Sequence, residues 1–235
     1  MSSINDSLFI LNDAKVQLTL IEKFYSSSLK EKHISPLLRL KIKHFLEDIR
    51  SSLDYAAFHI FTTLFKDKIS SDLKHHERII SFPFRESEKK FDLYVSNAFP
   101  GLSEEKPDIL IIFKELQAFN KNKNVEWFFN LNVLCNKNKH RHLVPQERKE
   151  TSRIKYMVDN LGNTFTNIYM TDVKSLVEID DIPIDLRKPN PFYHNVNIES
   201  WDEFYFEDFN QPVPQLLKGI YTGTESTVNK LISQL

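Results

Sequence analysis

The clearest hydrophobic pattern in the chain lies between residues 36 and 66. Apolar residues recur there at alternating steps of three and four, the spacing of one face of an α-helix. They are Ile42, Leu46, Ile49, Leu53, Ala56, Ile60 and Leu64. Pro36 suits a first helical turn, where its missing N–H is not needed. The pattern therefore predicts a long amphipathic helix that begins near Pro36 and continues through Lys66.

Similar spacing predicts several other helices before residue 150. They cover residues about 4–28 and 88–99, a segment beginning at Pro107, and residues 125–142. Residues 67–90 have little periodicity and are predicted to be mostly irregular. Ile79-Ile-Ser-Phe-Pro-Phe84 is predicted to be extended, because proline is excluded from a helix interior. The Lys/Asn-rich run at residues 120–124 predicts a loop.

After about residue 150 the pattern becomes β-like. Strands are predicted at residues 153–158, 164–170, 175–179, 196–198 and 203–206, with a turn at residues 160–163. A final helix begins near Val213. The order of elements predicts an α+β fold, with a helical core in residues 1–150. Residues 151–235 then form an antiparallel β-layer and a returning helix, either as a second domain or as part of one integrated domain.

Composition narrows the class of protein. Hydrophobic residues make up 41% of the chain and the net charge is −1, which predicts a globular protein without a strong overall attraction to nucleic acid or membrane. Four glycines disfavour a glycine-rich phosphate loop. No apolar run approaches the roughly 20 residues that span a bilayer. A single cysteine fits a reducing compartment, and the N-terminus has no signal-peptide pattern, so we expect a cytoplasmic protein.

The helix predicted at residues 125–142 begins with apolar residues and ends in a polar, basic cluster. Asn136 and His140 fall one helical turn apart in the same row as Val133, and Arg141 lies beside them. Arginine binds anions, and histidine transfers protons near neutral pH. The pattern therefore indicates a site that suits a phosphate ester.

Each of these residues also has a structural interpretation. A histidine at a helix C-terminus is stabilised by the helix dipole without any catalytic role. Asn136 could satisfy backbone groups, and Arg141 could be solvated or paired with Asp54. Arg50 and Asp54 lie four residues apart on the long helix. They either hold the His140 cluster from the opposing helix or form a surface ion pair.

A basic run accompanies the cluster. It contains Lys137, Lys139, Arg141, Arg148 and Lys149. Such a run is either a solvated face or a contact surface for a nucleic-acid backbone. Neither the segment 75–77 nor the pair His140 and His142 supplies the ligand set of a zinc site, and Cys135 has no second thiolate. The sequence therefore predicts no metal and no cofactor.

Four segments carry a resemblance to a known family. DIRSSLDYAA (residues 48–57) is similar to a helix with the pattern LRSALDYLA, and ISFPF (residues 80–84) is similar to an FPI segment. LCNKNKHRHL (residues 134–143) is similar to a helix end with the pattern NNIDKHRLL. The strand at residues 204–206, followed by a proline-rich segment and a helix, also matches. In this order the segments resemble bacterial proteins of unknown role with a helical core related to HEPN domains.

The resemblance implies a fold, a chemistry and an assembly. HEPN domains are helical, commonly dimeric, and often metal-independent endoribonucleases of defence and toxin systems. Their usual motif is an arginine followed after four to six residues by a histidine. His140 matches the histidine, and Asn136 matches the polar residue that often follows the arginine. Cys135 stands where the arginine would be, so Arg141 or Arg50 would have to supply the guanidinium.

Two functions follow as expectations. The first is an RNA-directed protein, specifically a metal-independent endoribonuclease of a prokaryotic defence or toxin system. His140 would be its acid or base, Arg141 or Arg50 its phosphate ligand, and Asn136 and Asp54 its orienting groups. The protein would be a homodimer with the His140 helices near the two-fold axis, with RNA and an antitoxin as partners. The alternative is a non-catalytic module in which the cluster is structural and the β-layer binds a protein.

Overall fold

The computed structural model describes residues 3–69, 72–120, 125–140, 145–171, 176–179, 182–186 and 188–235. Within them are the helices α1 (Ser3–Glu31), α2 (Pro36–Leu64), α3 (Leu73–Ile79), α4 (Glu88–Ala98), α5 (Leu102–Glu105), α6 (Pro107–Glu115), α7 (Glu126–His140) and α8 (Val213–Ile232). The strands are β1 (Gln146–Asp159), β2 (Thr164–Thr171), β3 (Leu176–Ile179), β4 (Ile182–Asp185) and β5 (Tyr193–Phe206). The predicted α+β class is confirmed.

The chain divides into two compact units. A helical unit consists of Met1–Ser27, Ile34–Val144 and Pro214–Leu235, and a β unit consists of Ser28–His33 and Pro145–Val213. The helical unit therefore contains α1 as far as Ser27, α2–α7 and α8 from Pro214, and all five strands belong to the β unit. No helix within the described ranges combines the length and apolarity that a membrane span requires.

The predicted long helix forms because its pattern and its cap agree. The Ser35 hydroxyl oxygen accepts a hydrogen bond from the Leu38 N–H at 3.1 Å, and Pro36 occupies the first turn. The helix α1 packs on α2 in the opposite direction. Ser7 Oγ donates to the carbonyl of Ser52, and Gln17 Nε2 donates to Asp48, which is nearer the N-terminus of α2. This pairing buries the Leu11, Ala14, Leu18 and Ile21 face of α1.

The helices α2 and α7 pack against each other. Near one end of the contact, the Cys135 thiol donates to the carbonyl of Leu46 at 3.4 Å. One turn further along α2, Arg50 lies against the Phe84 ring, which stacks on Phe128 near the start of α7. Residue numbers therefore rise along α2 as they fall along α7, and the two helices are antiparallel.

Residues 80–84 form no helix or strand, and their aromatic side chains enter the core of the helical unit. Phe82 is fully buried, with its ring centroid 5.1 Å from Phe113 and 5.6 Å from Phe128. The prediction of an extended segment at residues 79–84 was wrong at Ile79, which is the last residue of α3, whereas residues 80–84 are not helical. The prediction that the preceding residues are irregular was wrong for α3, whose polar sequence gives little hydrophobic periodicity. The short α5 was not predicted.

The β unit contains a three-stranded antiparallel sheet in the order β2-β1-β5 and a separate hairpin of β3 with β4. Ile154 and Met157 of β1 pack with Leu186 in a hydrophobic cluster of the β unit. The predicted turn at residues 160–163 joins β1 to β2, and the Asp159 carboxylate accepts hydrogen bonds from the Leu161 and Asn163 N–H groups. The third predicted strand, at residues 175–179, corresponds to β3, and its first residue, Ser175, lies outside the described residues. The strand β4 was not predicted.

The two short strands predicted at residues 196–198 and 203–206 were wrong as separate elements. They belong to the single 14-residue strand β5, and β1 begins at Gln146 rather than at Arg153. Polar residues between the two predicted strands pair directly with β1. Ser152 and Ser200 form an Oγ–Oγ hydrogen bond of 2.7 Å. Cross-strand pairs of this kind stabilise strands that have no clear apolar alternation.

Candidate functional site

A polar cluster in the helical unit surrounds Arg50 on α2. Its guanidinium carbon lies 3.6 Å from the centroid of the Phe84 ring. Phe84 also stacks on Phe128, with 4.0 Å between centroids and 11° between planes. Both contacts are face-on and short, so they use opposite faces of the Phe84 ring. Arg50 Nε lies 3.5 Å from Asp54 Oδ2. Stacking and an ion pair therefore fix the guanidinium in one place.

The Asp54 carboxylate also joins α2 to the segment at residues 80–84. Its Oδ1 accepts a hydrogen bond of 2.7 Å from the Phe82 N–H. On the other side of the segment, Gln117 Nε2 donates to the Pro83 carbonyl at 2.7 Å. Gln117 Oε1 accepts from the Arg85 N–H at 3.1 Å. The segment that presents Phe84 to Arg50 is thus held by side-chain hydrogen bonds from two helical regions.

Burial lowers the pKa of Arg50, whereas the neighbouring Asp54 carboxylate and Cys135 raise it and Arg85 lowers it. Arginine remains protonated at neutral pH under such conditions. The Asp54 contact uses Nε, and no other described residue forms a hydrogen bond with the two terminal nitrogens of Arg50. The side chain is 18% exposed. It can therefore offer the two terminal nitrogens to an anion.

The Cys135 thiol lies close enough to Arg50 to interact with its charge. Cys135 is buried, with 3% of its surface exposed. It faces α2, and its sequence position is the one where the family resemblance expects an arginine. A guanidinium from α2 thus lies beside that position on α7, although α7 itself does not supply one there.

The other residues predicted for this site lie around the end of α7. Asn136 is exposed, and its Nδ2 donates to Asn132 Oδ1 at 3.4 Å. Neighbouring positions on a helix are about 100° apart, so Asn136 and Cys135 point to different sides of α7 at nearly the same level. Cys135 therefore faces α2, which carries Arg50, whereas Asn136 faces solvent. Lys137 is exposed as well.

Three predicted residues at this helix end lie partly or wholly outside the described residues. His140 is the last residue of α7, and its side chain lies outside the described residues, as does that of Lys139. Arg141 lies wholly outside them. Their predicted roles as acid or base, backbone contact and phosphate ligand stay predictions.

Arg148 and Lys149 belong to β1 in the β unit, where carboxylates pair with them. Arg148 forms an ion pair of 2.7 Å with Asp202, and this hydrogen bond raises the pKa of Arg148. Lys149 lies 2.5 Å from Glu147 and over the Tyr205 ring. These contacts stabilise the strand pairing. The predicted contact of Arg148 and Lys149 with nucleic acid stays a prediction.

Histidines elsewhere in the helical unit have structural contacts. The His76 ring stacks on Phe61 at 5.1 Å, and its Nε2 lies 3.3 Å from the carbonyl of Ala98. Across the described part of the chain, no group of three or more histidine, cysteine, aspartate or glutamate side chains is arranged to hold a metal.

Sequence reasoning identified Arg50 and Asp54 but missed Phe84 and Gln117. Phe84 was visible as the last residue of the extended segment, because a phenylalanine after proline in a non-helical run can enter a core. Nothing in the sequence around Gln117 distinguishes it from a surface glutamine at a helix end. The position of both residues depends on contacts between distant parts of the chain.

Comparison with known proteins gave no significant match: no family model, no curated protein and no solved structure is similar to the chain at a significant level. The relation to HEPN domains therefore stays a prediction from the motifs in the sequence. The features of the chain that bear on its function are the geometry around Arg50 and the residues at the end of α7.

Replacing Asp54 with alanine should lower the free energy of unfolding by about 2 kcal/mol. The change removes a charged acceptor from the buried Phe82 N–H and the ion-pair partner from Arg50. Asp54→Asn is the matched control, because its amide oxygen can still accept the Phe82 hydrogen bond, and it should lose less. Urea denaturation measures both values. Equal stability of the alanine variant and the wild type would contradict this role.

Proposed function

We propose that the protein is RNA-directed, with a HEPN-like helical core, and acts as a metal-independent endoribonuclease of a prokaryotic defence or toxin system. One observation carries this proposal. The Arg50 guanidinium, fixed by Phe84 and Asp54, belongs to the turn of α2 that follows Leu46, whose carbonyl accepts from Cys135 at the α7 position where the resemblance expects an arginine. In this protein α2 would supply the phosphate ligand that α7 lacks.

The proposed binding follows from the chemistry of the guanidinium. Two terminal N–H groups can bind two phosphate oxygens at once. Partial burial strengthens the attraction because water screens the charge less. Stacking on Phe84 holds the group in position before RNA binds, which reduces the entropy lost on binding. An RNA strand that crosses α7 at this level would meet Arg50 on one side and the exposed Asn136 on the other.

Cleavage would use His140, one helical turn beyond Asn136. His140 would accept the proton of a ribose 2′-hydroxyl, and the 2′-oxygen would attack the adjacent phosphorus. The bond from phosphorus to the 5′-oxygen would break and the leaving oxygen would take up a proton. The products are a 2′,3′-cyclic phosphate and a 5′-hydroxyl end. Arg50 or Arg141 would stabilise the negative charge on the phosphate oxygens in the transition state.

A second candidate is a non-catalytic interaction module. The observation in its favour is that the same contacts of Arg50 and Asp54 join α2 to the segment at residues 80–84 and to α7. In that case the cluster is a structural network, and a protein partner binds elsewhere. The two candidates differ in whether the terminal nitrogens of Arg50 contact a ligand.

RNA binding by an Arg50 variant separates the candidates. Fluorescence anisotropy with a panel of labelled single-stranded RNAs in EDTA should show that Arg50→Gln weakens binding at least about 10-fold. The slope of log K against log salt should fall by about one. Arg85→Gln is the matched control, because Arg85 also lies 3.6 Å over an aromatic ring, that of Tyr94. Its Nη1 instead donates to the carbonyl of Phe84.

Circular dichroism melts must accompany these measurements, because Arg50 also contributes to folding. If Arg50→Gln is folded and binds RNA as tightly as the wild type, Arg50 is not the phosphate ligand. If the wild type binds none of the RNAs, the interaction module is the better description.

A further inference from the structure

The helices α1 and α2 together form an exposed face whose apolar and charged residues follow a regular order. One row on α1 contains Phe9, Asp13, Val16 and Leu20, and one row on α2 contains Leu37, Lys41, His44 and Asp48. Both rows follow helical spacing. Phe9 is 75% exposed, Val16 59% and Leu37 44%. We call these eight residues the α1–α2 face.

The two rows run in opposite directions and border a groove of about 460 Å³. Val16 and Leu20 line one wall of this groove, and Lys41, His44 and Asp48 line the other. Because Gln17 contacts Asp48, Asp13 and Asp48 lie toward one end of the groove. Leu20 and Lys41 lie toward the other end. Phe9 lies beyond the acidic end and Leu37 lies beyond the basic end.

The charges at the two ends of the groove form no ion pair with any residue that the structure describes. Gln17 Nε2 donates to Asp13 Oδ2 and to Asp48 Oδ2, each at 2.6 Å, and so holds two carboxylates close together. Within the described ranges, neither of these carboxylates nor Lys41 forms an ion pair, whereas the nearby Glu47 is paired with Lys43. The face therefore has an acidic end and a basic end, separated by Val16 and Leu20.

We propose that the α1–α2 face binds a second copy of the chain through a two-fold contact centred near Val16. Rotation by 180° about that centre places the acidic end of one copy opposite the basic end of the other. It also places Phe9 of each copy opposite Leu37 of its partner, and Val16 near its own equivalent. A two-fold interface requires a surface that is complementary to itself, and the order along this face meets that requirement.

The order along the face favours a second copy over other partners. A partner with charges of one sign would match one end of the groove and oppose the other, and like-charge contacts are costly. A wholly apolar partner would leave the Asp13, Asp48 and Lys41 charges buried without partners. The axis near Val16 also differs from the axis beside the His140 helices that the family resemblance implies.

Sedimentation and light scattering test the interface. The wild type should have twice the chain mass of 27.7 kDa. Val16→Asp places two like charges at the axis and should raise the dimer dissociation constant about 100-fold or more. Leu161→Asp is the matched control, because Leu161 is 87% exposed in the β1–β2 turn of the β unit. Phe129→Asp tests the alternative axis, because Phe129 is an exposed apolar residue of α7.

A charge-reversal experiment tests the pairing of the two ends. The variant Asp13→Lys/Asp48→Lys should be monomeric because its two ends are both basic. The variant Lys41→Glu should be monomeric because its two ends are both acidic. Mixed together, the two variants should form a heterodimer, since each end then meets an opposite charge. Native mass spectrometry distinguishes the heterodimer from either homodimer.

Three results would overturn the proposal: a monomeric wild type at micromolar concentration, dimerisation that Phe129→Asp abolishes but Val16→Asp does not, or charge-reversed variants that stay monomeric when mixed. All six altered sites are at least partly exposed on helices or in a turn, and unchanged circular dichroism melts confirm that each variant is folded.

Discussion

Leu53→Asp should prevent the helical unit from folding and so abolish soluble expression. Leu53 has no exposed surface and lies in the middle of the buried stripe of α2. Aspartate at that position would bury a charge without a partner, at a cost of several kcal/mol. Typical domains are stable by only about 5–15 kcal/mol. Expression trials, followed by thermal melts of any soluble protein, measure the effect.

Tyr55→Asp is the control for this substitution. It places the same residue on the same helix two positions further on, where the tyrosine is 42% exposed. Its effect on the free energy of unfolding should stay near 0.5 kcal/mol or less, as is common for surface substitutions. A soluble Leu53→Asp variant with the melting temperature of the wild type would show that Leu53 is not part of the core.

The helical part of the fold could be predicted because its signal is local. In α2, six of the seven residues in the predicted stripe are buried. Leu64 is the exception, because the helix ends there and Phe61 and Phe65 are the buried residues of its last turns. A period of 3.6 residues over 29 positions needs no knowledge of the partner helices. The seven residues of α3 are too few and too polar to show such a period.

The β unit shows why the strand predictions were less complete. The middle of β5 contains Glu199, Trp201 and Asp202, which do not form a simple apolar alternation. Their place in the strand is explained by partners about 50 residues earlier. Arg153 and Lys155 contact Glu199, and Arg148 contacts Asp202. Long-range pairings of this kind cannot be read from a window of the sequence.

The candidate site was predictable in its residue types but not in its arrangement. Sequence spacing placed Arg50 and Asp54 on one side of a helix and identified the polar end of α7. Three elements must meet to bring Arg50 beside Cys135: α2, α7 and the segment that carries Phe84. The helical period could show that Cys135 and Asn136 face different sides of α7. It could not show which side faces α2.

The enzymatic part of the proposed function makes the prediction with the largest effect on activity. In EDTA the wild type should cleave RNA and leave 2′,3′-cyclic phosphate ends. His140→Ala removes the proton-transfer group and should lower the cleavage rate by a factor of roughly 10²–10⁴. The rate should change with pH near 6.5, about the ordinary pKa of histidine. Gel analysis of labelled RNA across a pH series measures both.

His142→Ala is the control, because it removes a second histidine two residues away and should leave the rate nearly unchanged. Arg50→Ala and Arg141→Ala should both slow cleavage, and the variant that loses more identifies the phosphate ligand. If His140→Ala cleaves as fast as the wild type, His140 is not the acid or base, although the activity stands. If the wild type cleaves no RNA in a varied panel, the polar cluster around Arg50 is structural. The protein is then better described as an interaction module, because every described contact of Arg50 already joins parts of the helical unit.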